Sequence, residues 1–259
     1  MESKITNNKK WKTSIANSTD KQTLVRGYPL EDLIQNLNFT QAIYLILKGE
    51  LPTKQEEQML NAIFVAAIDH GIASPSSQVA RIVFSGGNSL NTAVGAGILT
   101  LGDSHGGAIE QCAKLLQENK DKPAKEIVAE ILQQKKVLPG LGHKIYKDED
   151  PRTIQLFSIA KKLRLYGNYC KLTEEIQKEI EKQKGKKLCI NIDGAIAAIM
   201  SEMQFDWRLG KGLFIIPRTA GLVAHAHEEW CREKPFRRLD EDEYCYDGKD
   251  ERKLPKKIE

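Results

Sequence analysis

Three ionisable side chains each stand beside glycine where one periodic segment gives way to the next: His105 in DSHGGA, His143 in GLGHK and Asp193 in NIDGA. Two imidazoles and a carboxylate can donate to a carbonyl oxygen, accept a proton and return one. Taken singly, each also fits a plainer role. A histidine beside glycine can cap a helix or line a loop, and an aspartate before a helix is an N-cap. The case for chemistry is that all three share the same surroundings.

His143 lies inside the stretch 137–153, VLPGLGHKIYKDEDPRT. Pro139, Gly140 and Gly142 interrupt any helix before it, which puts the imidazole in a loop. Gly140 and Gly142 lack side chains, so a ligand could approach the backbone there. Asp150-Pro151-Arg152 reads as a helix start, with Asp150 as N-cap and Pro151 at the first position. Arg152 in the first turn opposes the helix dipole and needs another reason to be there; forking onto a carboxylate is the natural one.

The elements that must position these groups are helical. In FTQAIYLILKGELP, Thr40 can cap a helix that Gly49 and Pro52 end. Thr53 and Glu56 make a capping-box pattern for a helix running to His70 and stopping at Gly71. Helical periodicity returns near 92–101, 125–135, 151–166 and 173–182. Leu188–Ile192 reads as a brief extended entry to a buried helix, with Asp193 at the junction. A long helix over 212–230 contains Pro217, which predicts a kink. Residues 1–30 are polar with little period, and the segment after Trp230 is a charged, non-periodic arm. Alternating strand patterns are nearly absent, so the fold is expected to be all-α.

At 259 residues with a formal charge of +4 and mixed Lys and Glu, the chain offers no basic slab for nucleic acid. No segment reaches the roughly 18 apolar residues of a membrane helix. The N-terminus has no apolar signal core, so a cytoplasmic location is expected. Cys112, Cys170, Cys189, Cys231 and Cys245 are scattered without metal-ligand spacing and read as reduced thiols; no metal is expected.

HGGA, then GLGHKxYKDxDPR, then NIDG, in this order and at these separations, resemble the citrate synthase superfamily over roughly residues 22–240. The lead-in LVRGYPLEDLIQNLNFTQAIYLILKGELP is similar to that family's early helices. Within it, ILTLGDSHGGAIEQCAKLL and DHGIASPSSQVAR resemble the citryl-CoA lyase module at the C-terminal end of ATP-citrate lyase. Free-standing citryl-CoA lyases have about this length. One departure runs the other way: the fused module lacks a histidine where His105 stands, whereas synthases have one, which keeps citrate or 2-methylcitrate synthase activity as the alternative.

The resemblance implies an all-α fold with a large helical domain over 1–109 and 206–259 and a smaller inserted domain over 110–205. It implies a homodimer or higher homo-oligomer with a shared site. It implies cleavage of citryl-CoA to acetyl-CoA and oxaloacetate. His143 would accept the hydroxyl proton of the citryl group. His105 would donate a hydrogen bond to the thioester oxygen, worth about 3 kcal/mol. Asp193 would protonate the terminal carbon. His70, Arg152, Arg218 and Arg237, with Arg238 as its rival, match substrate-binding positions, and the arm bearing the last would cross to the other subunit. Coenzyme A would lie along Leu138, Gly140, Leu141 and Gly142, with Lys186 or Lys187 near a phosphate. No P-loop or ATP-grasp segment is seen, so a separate citryl-CoA synthetase would supply the substrate. Two readings of other classes compete: an acyl-CoA-binding subunit without catalysis, which has no need of the His105/His143/Asp193 set, and an interaction protein acting through residues 240–259.

Overall fold

A computed structural model describes residues 11–143, 145–185 and 187–254. Eleven α-helices lie among them: α1 (Leu30–Asn36), α2 (Phe39–Lys48), α3 (Lys54–Ala67), α4 (Pro75–Ser85), α5 (Leu90–Leu99), α6 (Ala108–Glu118), α7 (Ala124–Gln133), α8 (Pro151–Lys162), α9 (Asn168–Lys184), α10 (Ile192–Glu202) and α11 (Gly210–Arg232). The all-α expectation holds for the body.

The lead-in does more than its sequence pattern suggests. Strands β1 (Ala16–Ser18), β2 (Thr23–Val25) and β3 (Tyr28–Pro29) form an antiparallel sheet, with Ala16 opposite Val25 and Leu24 opposite Pro29. Arg26 and Gly27 both have positive φ in the turn between β2 and β3, the conformation that matches strand twist in a two-residue hairpin. Strands this short show no alternation to read.

Local chemistry explains most helix ends. The capping box of Thr53 and Glu56 starts α3 as expected, with Thr53 Oγ1 accepting from Glu56 N at 3.2 Å. The cap of α2 is Asn38, boxed with Gln41; Thr40 lies inside the helix, buried. Helix α3 ends at Ala67, three residues before His70, because Asp69 folds its carboxylate back onto the Gly71 amide at 2.8 Å. Helix α11 is continuous through Pro217.

The core is organised around α10. Ala195 to Met200 are all buried, so this helix is apolar on every side and must be surrounded. It packs on α6, α8 and α9, while α11 packs on α3, α4, α5 and α6. Among the described residues no helix is long and apolar enough to cross a membrane.

Candidate active site

His70, His105, His143, Arg152, Asp193 and Arg218 come from five separate parts of the chain, and the fold brings them together. The His70 and His143 rings lie edge to face with centroids 6.4 Å apart. Arg152 Nη2 is 3.3 Å from His143 Nε2. The charges of Arg152 and Arg218 both bear on His70 and on Asp193, and that of Arg218 on His105.

His143 sits on a loop clamped to the entry of α10. Gly142 N donates to Cys189 O at 2.7 Å, Asn191 N to Gly140 O at 3.0 Å, and Asn191 Nδ2 to Gly142 O at 2.8 Å. A methyl group on Gly140 would stand 2.7 Å from both Cys112 Sγ and Gly194 Cα. Gly140 is therefore small because it packs on α10, and its carbonyl is already used. Leu138 likewise fills the core. Of the loop expected to meet coenzyme A, Leu141 and Gly142 are the half-exposed part. Lys187 is exposed, with Nζ 3.8 Å from Asp148 Oδ1; Lys186 lies outside the described residues.

His143 Nδ1 accepts from the amides of Ile145 and Tyr146, both at 3.1 Å. The neutral ring then carries its proton on Nε2, so the 3.3 Å approach of Arg152 Nη2 sets two donors side by side rather than making a hydrogen bond between them. Nε2 of such a ring can donate to an oxygen but has no lone pair to take up a proton, the role the family resemblance implies for His143. Among the described residues no hydrogen bond engages the ring of its neighbour His70. His105 is set by its Nε2 contact with Ser76 Oγ at 2.9 Å and by the tight Gly106-Gly107 turn, where a methyl on Gly107 would lie 2.6 Å from Gly102 O.

Burial pushes all three imidazoles below the ordinary histidine value, helped by Arg152 and Arg218 at His70 and by Arg218 at His105; at His143 the carboxylate of Asp150 opposes the fall without reversing it. All three are neutral at pH 7. Asp193 is in the first turn of α10, which Asn191 caps. Burial pushes its carboxyl up to about 6, against the pull of Arg152. Arg218 is 3% exposed, and Nε and Nη2 donate to Ala67 O at 3.3 and 3.2 Å. No carboxylate among the described residues pairs with it. A buried guanidinium with no carboxylate partner, beside a second arginine and neutral imidazoles, makes a site suited to an anion.

Arg237 lies elsewhere in the chain. Its Nε and Nη2 grip the two oxygens of Glu229 at 2.9 and 2.8 Å, about 16 Å along α11 from Arg218. Two contributors escaped the sequence reading. Ser76 had no signal beyond a run of small residues. Asp150 was legible as a cap, but its bond to the Ile192 amide of α10 was not.

The family model for the citrate synthase C-terminal domain matches residues 54–239. The chain belongs to the citrate synthase family. Within that family it is 29% identical to the citrate/2-methylcitrate synthase of Bacillus subtilis (strain 168) over 79% of this chain and 56% of the relative, and 30% identical to the citrate synthase of Heyndrickxia coagulans over 81% and 56%. The chain thus spans about half the length of these curated relatives. Among solved structures, a citryl-CoA lyase from Hydrogenobacter thermophilus is 55% identical, with a TM-score of 0.91 over 95% of this chain and 97% of that one. ATP citrate lyase from Methanothrix soehngenii, in complex with citrate and coenzyme A, shares the fold at 22% identity and a TM-score of 0.79 over 93% of this chain and 42% of that one.

Proposed function

We propose that this chain is a citryl-CoA lyase, splitting citryl-CoA into acetyl-CoA and oxaloacetate by retro-Claisen cleavage. The observation that carries this reading is 55% identity, over nearly the whole of both chains, to the Hydrogenobacter thermophilus lyase. The second reading is condensation of an acyl-CoA with oxaloacetate, as in citrate or 2-methylcitrate synthases, favoured by the curated relatives at 29 and 30% identity.

In this reading Arg152 and Arg218 hold carboxylates of the citryl group. His143 donates from Nε2–H to the citryl oxygen, which becomes the ketone of oxaloacetate. The hydroxyl proton passes to His70, the neutral imidazole with an open nitrogen. As the carbon–carbon bond breaks, its electron pair moves onto the thioester. With Ser76 as the donor in its 2.9 Å contact with Nε2 of His105, Nδ1 carries the proton and stabilises the enolate oxygen. Asp193, whose carboxyl burial raises to about 6, delivers a proton from its acid form to the terminal carbon and makes the acetyl methyl group. His70 returns its proton to solvent and Asp193 takes one up, so no net proton is consumed. Run backward, Asp193 abstracts the methyl proton.

Coenzyme A follows the exposed edge of the 138–142 loop, with Lys187 near a phosphate. The segments 1–109 and 206–259 act as the larger domain and 110–205 as the smaller, with the site in the cleft between. Two copies share the site through the C-terminal arm. Because Glu229 holds Arg237, Arg238 becomes the stronger choice for reaching the partner. A separate synthetase makes the citryl-CoA.

The test offers purified protein citryl-CoA and follows oxaloacetate with a coupled reductase, then offers acetyl-CoA and oxaloacetate and follows free thiol. Rapid oxaloacetate release with little thiol supports the lyase. Sustained thiol release from acetyl-CoA would make it a synthase, and silence in both would remove the enzymatic reading.

A further inference from the structure

Asp150 does far more than cap a helix. Its carboxylate is 1% exposed and every approach to it is filled. Oδ1 accepts from Arg152 N and from Arg152 Nε, both at 3.0 Å. Oδ2 accepts from Arg152 Nη2 at 2.8 Å and from Ile192 N at 3.1 Å. Ile192 is the first residue of α10, and Asp193 is the second.

We propose that Asp150 is the positioning residue of this site, one carboxylate that sets both the Arg152 fork and the helix start that carries Asp193. The inference rests on the lyase reading above. The arrangement follows from what each bond fixes. Gripping Nε and one proton of Nη2 leaves Nη1 and the other side of Nη2, which faces His143, to offer a substrate anion. Binding Ile192 N ties the first turn of α10 to that same fork across 42 residues of sequence. Substrate-holding arginine and proton-delivering acid therefore move as one body. The carboxylate also faces Asp193 electrostatically. Arg152 and Asp150 act on Asp193 from α8 and its cap, and Arg218 from α11, while Cys112 of α6 lies close enough to feel its charge. Asp150 disfavours ionisation of Asp193, so it raises the share of the acid in its donating form as well as holding it in place.

The experiment uses Asp150→Asn in the full chain. Asparagine caps a helix as well as aspartate does, and it keeps one accepting oxygen. It presents an NH2 group in place of an accepting oxygen toward Arg152 or Ile192 N. The expected result is kcat for citryl-CoA cleavage down about 100-fold, the scale of a misplacement near 1 Å. The pH at which cleavage falls off should move to lower values, because a negative charge near Asp193 has gone. A purely structural role would lower the melting temperature without moving that pH. Where Asp150→Asn does not fold, Asp150→Ser keeps a capping oxygen and loses the grip on the guanidinium; the same two readouts apply. A second arm compares Arg152→Gln alone and combined with Asp150→Asn: two residues acting as a unit lose less together than the sum of the single losses. Unchanged kcat and pH profile in a folded variant, or additive losses, would overturn the proposal. An inactive wild-type protein would instead sink the lyase reading and is seen before any variant is made.

Discussion

Gly194 of α10 packs backbone to backbone on Gly140 of the His143 loop: a methyl group on Gly194 would fall on the carbonyl oxygen of Gly140. This contact sets how far Asp193 stands from His143. Gly194→Ala has no flexible side chain to push aside, so the loop must move. Loss of about 2 kcal/mol of stability is expected by urea denaturation, together with a fall in kcat. Gly142→Ala meets nothing nearer than Leu188 at 3.7 Å, and its cost of about 1 kcal/mol comes from holding φ at +84°. The ordering of the two variants is the checkable point.

Ser76→Ala removes the hydroxyl that holds Nε2 of His105. Ser76 is fully buried, so no water replaces it easily. The ring is then free to choose its tautomer, and kcat should drop roughly tenfold, the value of one hydrogen bond. KM for citryl-CoA should change little, because the role proposed for His105 is at the developing enolate and not in the bound ground state. A KM effect larger than the kcat effect would count against this role.

The pH dependence follows from Asp193 at about 6. In the proposed lyase mechanism cleavage needs the protonated acid, so it should decline as pH rises through about 6. Exchange of acetyl-CoA methyl protons into D2O needs the carboxylate and should rise over the same interval. Steady-state cleavage and proton NMR of exchange give the two curves. Both rising together would contradict the assignment. Stability follows the same group: its pKa is raised in the fold, so the stabilisation it gives is complete below about 4 and lost as pH rises through about 6. Asp193→Asn should therefore match the wild type at pH 4 and resist urea better at pH 8.

The sequence was most informative where the cause is local. Thr53 with Glu56, and Asp150 with Pro151, announce their helices because cap and helix are neighbours in the chain; Thr53→Ala should cost about 1 kcal/mol by thermal unfolding. The grouping of His105, His143 and Asp193 came through as a motif set. What stayed hidden depends on contacts between distant segments. Asn38 rather than Thr40 caps α2, since Thr40 is drawn into the core against Asn61. Gly140 read as an opening for a ligand, but α10 fills that space. The proton on His143 is placed by the amides of Ile145 and Tyr146, and loop geometry of that kind leaves no pattern in the letters.

The most direct test of the account is single-turnover cleavage of citryl-CoA by Asp193→Asn beside the wild type. The amide cannot deliver the proton, so oxaloacetate release should fall about 1000-fold or more, while the folded variant still binds citryl-CoA by calorimetry. Release within tenfold of the wild-type rate would mean that another group protonates the carbon, and the role given to Asp193 would be wrong.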